Sequence, residues 1–203
     1  MKRLLKIMVF LATLMIANTA NTAVQVVLIP GFGGEEAVVQ MEFLKQQIPD
    51  SLVITPKYSL GDVAGSAEEL WFSLKVKKIE KADFIGFSWG GLVVKEFASN
   101  HPEMVGKIIF LGTPNGGYKS WLIPRFIFKA RDDFKRDIPV FVIAGIKSSE
   151  KWYLKGSNDG TVELDSVFDI NRPINDSKIF KLSHVELLES REVAEQVIAW
   201  LKK

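Results

Sequence analysis

The stretch DFIGFSWGGL, residues 83–92, constrains the fold of this chain more than any other part of it. An apolar run leads to Ser88, a run with helical spacing follows it, and glycines stand two positions before and two positions after it. Where a buried strand turns this sharply into a helix, the two backbones pass close together and side chains at those two positions would collide. The pattern therefore predicts a strand–turn–helix junction with Ser88 at its apex.

The rest of the chain alternates between short apolar runs and segments with helical apolar spacing. Strands are predicted at 23–30, 51–56, 82–87, 105–112, 138–145 and 177–183, and helices at 35–48, 66–79, 91–100 and 191–203. Ser66, with Glu69 three residues later, has the spacing of a residue that caps the second helix. The alternation indicates an α/β fold with a mainly parallel sheet and helices on both faces, and its site should lie at the carboxyl ends of the strands.

The overall charge excludes one class of partner. The chain has 203 residues, enough for one domain with a sizeable core, and a net charge of +2. Lys2, Arg3 and Lys6 supply that excess, because the remaining residues carry 23 basic and 24 acidic side chains. This balance lacks the basic footprint of a nucleic-acid-binding protein, and we expect no nucleic-acid partner.

The first 23 residues have the pattern of a signal peptide. Three basic residues precede an apolar run from Ile7 to Ala17, and small and polar residues follow it as far as Ala23. This predicts secretion or periplasmic localisation, with residues 24–203 as one mature domain. The alternative is an uncleaved segment that tethers the protein to a membrane. The chain has no cysteine, so no disulfide is expected.

G-x-S-x-G between a strand and a helix is the sequence of a nucleophile elbow, although a glycine-rich turn that only packs the helix on the sheet is the alternative. A serine hydroxyl needs a neighbouring base, and the chain has only two histidines. His101 precedes a proline at the end of the helix after Ser88, about 15 Å away, which is typical of a helix cap. His184 follows the last predicted strand, at the same sheet edge as Ser88, and is therefore the candidate base; a surface loop histidine is the alternative.

The base needs a carboxylate that orients it. Asp159 follows the fifth predicted strand in an Asn-Asp-Gly turn, and it is preferred to Asp165, Asp169 and Asp176. The alternative is that Asp159 only forms the turn.

The negative oxygen of a tetrahedral intermediate needs N–H donors. The backbone N–H of Trp89, directly after the serine, is one candidate. Phe32 is the other, because it lies in the loop PGFGG after the first strand, with glycines on both sides. An ordinary strand–helix turn is the alternative for this loop.

Together these segments resemble the α/β-hydrolases, in a small version of the bacterial lipase and esterase type. The motifs that carry the resemblance are LIPGFGG, GFSWGG, HPEMVGKIIFLGTPNGG, NDGTV and SHVELL, in the family's order from serine to aspartate to histidine, over residues 24–203. The resemblance implies the triad Ser88, Asp159 and His184, with the oxyanion at the backbone N–H groups of Phe32 and Trp89. It also implies an α/β-hydrolase fold of about six mainly parallel strands in the order 2-1-3-4-5-6, because there is no room for the two leading strands of larger relatives.

Two positions depart from many members of this family. Pro30 stands before Gly31 where many relatives have histidine, and Phe87 stands directly before the serine where many also have histidine. Neither position supplies a catalytic atom, and the subfamily stays open.

The implied activity is hydrolysis of a carboxylic ester through an acyl-enzyme intermediate, without a cofactor. The substrate would be a small-molecule or lipid ester. The same triad would also suit a thioesterase or an acyltransferase, and a catalytically silent binding protein of this fold is the third hypothesis. With one of two histidines committed to the triad, no transition-metal site is expected, whereas a carboxylate Ca²⁺ site and the oligomeric state stay open.

Residues 118–137 form an unusually long connection at the active-site edge of the predicted sheet. One hypothesis makes 118–128 a small cap, with Lys119 and Arg125 facing a lipid surface in transient contact and with an acyl pocket lined by Trp121, Leu122 and Phe126. The other makes 125–136 the helix that crosses between two parallel strands.

Overall fold

The computed structural model of the chain describes residues 25–32, 35–58, 61–117, 130–131, 133–134, 137–147, 154 and 156–203. Within these residues, six strands form one sheet: β1 (Gln25–Ile29), β2 (Leu52–Val53), β3 (Ala82–Phe87), β4 (Val105–Leu111), β5 (Val140–Gly145) and β6 (Asp176–Phe180). The helices are α1 (Glu35–Gln47), α2 (Val63–Val76), α3 (Trp89–Asn100), α4 (Leu164–Phe168), α5 (Glu186–Glu189) and α6 (Arg191–Leu201), with a 3-10 turn at Pro102–Met104.

The strands lie in the order β2-β1-β3-β4-β5-β6, and every neighbouring pair is parallel. This confirms the predicted α/β class and strand order. The chain moves from β1 outward to β2 and then returns to place β3 on the other side of β1. A crevice for ligands forms at the carboxyl ends of the strands where the order reverses in this way. The loop after β1 and the turn after β3 both lie at this crevice.

The two faces of the sheet bury separate sets of apolar side chains, because successive residues of a strand point to opposite faces. Val27 and Ile29 lie in the core under α2 and α3, whereas Leu28 lies in the core under α1 and α6. Helices on both faces leave β3, β4 and β5 buried along nearly their whole length. The carboxyl ends of these strands are therefore rigid positions for side chains.

Helix α2 begins one turn earlier than the sequence predicts. Its cap is Asp62, whose carboxylate accepts a 2.7 Å hydrogen bond from the N–H of Gly65. Ser66 lies inside the helix, buried, and its hydroxyl donates to the carbonyl groups of Asp62 and Lys57 at 2.9 and 3.1 Å. The prediction of Ser66 as the cap is wrong, because Asp62 provides the same kind of acceptor earlier and the helix can then bury Val63.

Three predictions concern segments that the structure describes only in part or not at all. The signal peptide predicted at 1–23 and the pocket residues Trp121, Leu122 and Phe126 lie outside the described residues. Within the predicted crossover helix 125–136, the described residues 130, 131, 133 and 134 are not helical, although Ala130 and Phe134 are buried in the core. No helix in the described part of the chain has the length and apolar character needed to cross a membrane.

Candidate active site

Ser88 occupies a strained turn between the last residue of β3 and the first residue of α3. Its φ and ψ are 52° and −123°, and its N–H donates a 2.9 Å hydrogen bond to the carbonyl group of Leu111 at the end of β4. A residue with a side chain in this region costs about 1–3 kcal/mol of strain, so the packed surroundings must hold it there. The turn presents the serine side chain at the carboxyl edge of the sheet, as the sequence predicts.

The glycines around Ser88 are required by close backbone contacts. A Cβ on Gly86 would lie 2.5 Å from the Cα of Gly91, and a Cβ on Gly90 would lie 2.3 Å from the carbonyl oxygens of both Ile29 and Pro30. Real Cβ atoms do not approach backbone atoms this closely, so β3, α3 and the loop after β1 can pack together only with glycine at these positions.

His184 and Asp159 form a buried pair. The Nδ1 of the imidazole lies 2.6 Å from Oδ2 of the carboxylate, and the two residues are only 7% and 1% exposed. The other carboxylate oxygen accepts hydrogen bonds from the N–H groups of Thr161 and Val162 at 2.9 and 2.7 Å. The N–H of His184 also donates to the carbonyl group of Asp159 at 2.9 Å. The backbone and the side chains therefore both fix the imidazole against the carboxylate.

The imidazole lies at the same sheet edge as the serine. The ring centroids of His184 and Phe87 are 4.7 Å apart, and a Cβ on Gly112 would lie 3.1 Å from two ring atoms of His184. Phe87 directly precedes Ser88, and Gly112 directly follows Leu111, which accepts the serine N–H. The ends of β3 and β4 thus place the predicted nucleophile and the predicted base at the same edge of the sheet.

The competing aspartates have other surroundings. Asp176 begins β6 and accepts hydrogen bonds from Trp200 Nε1 and Lys203 Nζ at 3.0 and 2.9 Å. Asp165 and Asp169 belong to the first turn and the end of α4. The carboxylate at the Nδ1 of His184 is that of Asp159.

His101 ends α3 and lies a full helix away from Ser88. Its N–H donates to the carbonyl group of Phe97 at 2.8 Å, and its ring stacks on Trp71 with centroids 5.5 Å apart. This position at the end of α3 agrees with the helix-cap interpretation of His101.

The two predicted donors for an oxyanion lie beside the serine. Trp89 is the first residue of α3 and directly follows Ser88. A Cβ on Gly31 would lie 3.1 Å from the Cβ of Ser88, so the loop that carries Phe32 passes directly over the serine. Phe32 is 54% exposed, and its ring centroid lies 5.9 Å from that of Trp89.

Two further residues support the site and were not predicted. The carboxylate of Glu186 accepts hydrogen bonds from the N–H and the hydroxyl of Ser183 at 2.7 and 2.8 Å and forms an ion pair with Lys147. These contacts hold the turn that carries His184. The Lys147 ammonium and the two donors of Ser183 lower the pKa of the Glu186 carboxyl to about 2. The S-x-x-E spacing of Ser183 and Glu186 is a capping signal that was present in the sequence. The second residue, Tyr58, donates its hydroxyl hydrogen to the carbonyl group of Pro30 at 2.5 Å, and no local pattern marks it.

The arrangement offers a hydroxyl, an imidazole oriented by a carboxylate, and N–H groups near the hydroxyl. These are the parts of nucleophilic acyl transfer. Across the described ranges, no group of three or more histidine, aspartate or glutamate residues is placed to hold a metal ion.

Several solved structures share this fold. The lipase BlEst2 of Bacillus licheniformis in its mature form is 18% identical, with a TM-score of 0.66 over 88% of this chain and 91% of the lipase. The naproxen esterase of Bacillus subtilis is 15% identical, with a TM-score of 0.61 over 89% of this chain and 84% of the esterase. A variant of the meta-cleavage product hydrolase of Pseudomonas fluorescens IP01 is 13% identical, with a TM-score of 0.64 over 89% and 90% of the two chains. At these identities the likeness shows the fold alone.

No curated protein sequence matches this chain significantly. A family model described as alpha/beta hydrolase fold matches residues 29–135, which include the loop after β1 and the turn at Ser88. Because this match spans more than half of the chain, the protein belongs to the alpha/beta hydrolase fold family.

Proposed function

We propose that the protein is a carboxylic ester hydrolase that uses Ser88 as nucleophile, His184 as base and Asp159 as the carboxylate that orients the base. The observation that carries the proposal is the buried 2.6 Å hydrogen bond between His184 and Asp159 at the sheet edge where Ser88 is held with a φ of 52°. A structural pair alone would not need a strained serine beside it. Among the solved structures of this fold, the lipase and the naproxen esterase support an ester substrate.

The catalytic steps follow from the hydrogen bond that already joins His184 to Asp159. The Nδ1–H of His184 donates a hydrogen bond to Asp159, so the Nε2 of the neutral imidazole can accept a proton from the hydroxyl of Ser88. The serine oxygen then bonds to the ester carbon, and the negative oxygen that forms is stabilised by the backbone N–H groups of Phe32 and Trp89. His184 returns the proton to the alcohol oxygen as the C–O bond breaks. Water, activated by the same imidazole, releases the acid from the acyl-enzyme.

The experiment is hydrolysis of p-nitrophenyl esters with acyl chains from acetyl to palmitoyl, by wild type and by Ser88→Ala. Wild type should turn over at least one ester, and Ser88→Ala should retain only weak residual catalysis. Ser99→Ala is the matched control, because Ser99 lies at the far end of the same helix, where its hydroxyl interacts with the carbonyl group of Lys95 and the carboxylate of Asp133. A wild type that turns over acyl-thioesters but no ester would replace the proposal with a thioesterase. A folded protein inert to both, and unlabelled by a fluorophosphonate, would refute a serine hydrolase.

We also propose that the protein is exported through residues 1–23 and that 118–128 forms a cap that binds long acyl chains and contacts lipid surfaces. Replacing Trp121 and Leu122 with serine should then reduce turnover of long-chain esters selectively and leave the melting temperature nearly unchanged. Equal loss on every chain length together with a lower melting temperature would identify these two residues as core. Detection of the N-terminal residue of the exported protein tests cleavage, because an intact residue 1 in the membrane fraction would indicate a tether instead.

A further inference from the structure

Tyr58 makes a long-range contact with the backbone of the loop after β1. Its hydroxyl donates a 2.5 Å hydrogen bond to the carbonyl oxygen of Pro30, which lies 28 residues earlier. Pro30 is buried and directly precedes Gly31 and Phe32. Proline has no N–H, so the carbonyl is its only backbone group that can be held by a hydrogen bond.

The carbonyl oxygen of Pro30 also meets the turn that carries the nucleophile. A Cβ on Gly90 would lie 2.3 Å from this oxygen, which places the oxygen against the first turn of α3. The next residue, Gly31, lies so close to Ser88 that its Cβ would be 3.1 Å from the serine Cβ. A shift of this carbonyl would therefore move the loop relative to the nucleophile.

The ring of Tyr58 also contacts the side chain of Phe32 in the same loop. The ring centroids of Phe32 and Tyr58 are 6.2 Å apart, and those of Phe32 and Trp89 are 5.9 Å apart. The Phe32 ring thus contacts both Tyr58 and Trp89, the residue directly after the serine. Tyr58 contacts the loop at both the backbone of Pro30 and the ring of Phe32.

The segment that carries Tyr58 is itself anchored to rigid structure. The hydroxyl of Ser66, inside α2, donates to the carbonyl group of Lys57 at 3.1 Å, and the N–H of Ile54 donates to the carbonyl group of Leu28 in β1 at 3.0 Å. Tyr58 also packs against the core on this face of the sheet. The segment that carries Tyr58 is therefore held to both α2 and β1.

We propose that Tyr58 is a positioning residue for the oxyanion hole, whose hydroxyl holds the Pro30–Phe32 loop where the Phe32 N–H can stabilise the transition state. The inference rests on the proposed ester hydrolase function and adds a residue to its machinery. A donor that is displaced by a fraction of an ångström loses much of its effect on the transition state, whereas ground-state binding of the substrate changes little.

The hydroxyl stays a donor over the working range of the enzyme. Burial raises the pKa of the Tyr58 phenol well above its ordinary value of 10.0. Neutral tyrosine can donate to a carbonyl oxygen, whereas the phenolate cannot. The contact with Pro30 is thus maintained at every pH where ester hydrolysis is normally assayed.

The test is Tyr58→Phe, which keeps the ring beside Phe32 and removes only the hydroxyl. We expect kcat for a p-nitrophenyl ester to fall about tenfold with KM within about twofold, since full removal of one oxyanion donor costs about 10²–10³ in kcat. The affinity for an arylboronic acid, which forms a tetrahedral adduct with the serine, should weaken by a similar factor to kcat.

The matched control is Asn175→Ala. The side-chain oxygen of Asn175 accepts a 2.8 Å hydrogen bond from the N–H of Val140, at the opposite end of the sheet. This variant should lower the melting temperature without changing kcat or boronic acid affinity. A Tyr58→Phe protein that behaves like this control, with a lower melting temperature alone, would overturn the role of Tyr58. A wild type without ester turnover would overturn the proposed function and this inference with it.

Discussion

The Nδ1 of His184 lies 2.6 Å from Oδ2 of Asp159, although 25 residues separate the two along the chain. The register of the sheet brings them together, because Gly145 at the end of β5 pairs with Phe180 at the end of β6. Asp159 packs on the first of these ends, where a Cβ on Gly145 would lie 2.9 Å from the Cβ of the aspartate. His184 follows the second end after three residues. A change in this pairing would separate the imidazole from the carboxylate.

Asp159→Asn should reduce kcat on the order of 10⁴-fold, the loss that follows when an amide cannot hold the imidazole in its working tautomer. The N–H groups of Thr161 and Val162 can still donate to the remaining side-chain oxygen, so the variant should fold. Steady-state kinetics and a thermal melt check both points. Asp165→Asn is the control. A larger loss of kcat in Asp165→Asn than in Asp159→Asn would show that Asp159 is not the carboxylate that orients the base.

His184→Ala should lower kcat by several orders of magnitude, because it removes the base. His101→Ala should leave kcat nearly unchanged and cost about 1 kcal/mol of stability or less, because the ring contacts Trp71, Phe97 and Glu103 at the end of α3, a full helix away from Ser88. Measurements of kcat and of denaturant unfolding on both variants check this ranking. A larger loss of kcat in His101→Ala than in His184→Ala would show that the site does not lie at the carboxyl edge of the sheet.

The features that sequence analysis predicted well are encoded locally. The two glycines around Ser88 and the apolar runs before and after it are properties of ten consecutive residues, and the strand order follows from the alternation of strands and helices together with the family resemblance. The candidate base could be identified because the chain has only two histidines. The partner of His184 was harder, since four aspartates follow the fifth strand and only the Asn-Asp-Gly turn distinguished Asp159.

The features that it missed depend on distant or competing contacts. Tyr58 reaches Pro30 across 28 residues, and a lone tyrosine after a short strand has no pattern that would reveal this. Asp62 and Ser66 are both good helix caps by residue type, and the tertiary structure decides between them by burying Ser66 inside the helix. β2 contains only Leu52 and Val53 although six residues were predicted, because the pairing with β1 ends at these positions.

Gly90→Ala should destabilise the protein by about 2–3 kcal/mol, because the added methyl group would overlap the carbonyl oxygens of Ile29 and Pro30. Labelling of Ser88 by a fluorophosphonate should also slow, since relief of the overlap moves the loop after β1 away from the nucleophile. Gly156→Ala is the control: its Cβ would meet nothing within 4 Å, and only the φ of +70° is unfavourable. It should cost about 1 kcal/mol and leave labelling unchanged. Equal destabilisation by the two variants would contradict the close packing around the elbow.

Glu186→Gln should lower the melting temperature at pH 7, and the difference from wild type should disappear in acid. The Lys147 ammonium and the donors of Ser183 lower the pKa of the Glu186 carboxyl from 4.5 to about 2. A carboxyl group whose pKa is lower in the folded state stabilises the fold above the unfolded-state pKa, and this contribution is lost as the pH falls through the folded-state pKa. The difference in melting temperature should therefore be constant above about pH 5 and shrink between pH 4.5 and pH 2.

Glu195→Gln is the control, because Glu195 and Arg191 form an exposed pair on α6 that contributes little at any pH. Because the contacts of Glu186 with Ser183 and Lys147 hold the turn that carries His184, kcat of Glu186→Gln at pH 7 should fall as well, whereas that of Glu195→Gln should not. A melting-temperature difference that persists unchanged at pH 2, or a Glu195→Gln variant with the same loss, would show that the charge of Glu186 does not stabilise this turn.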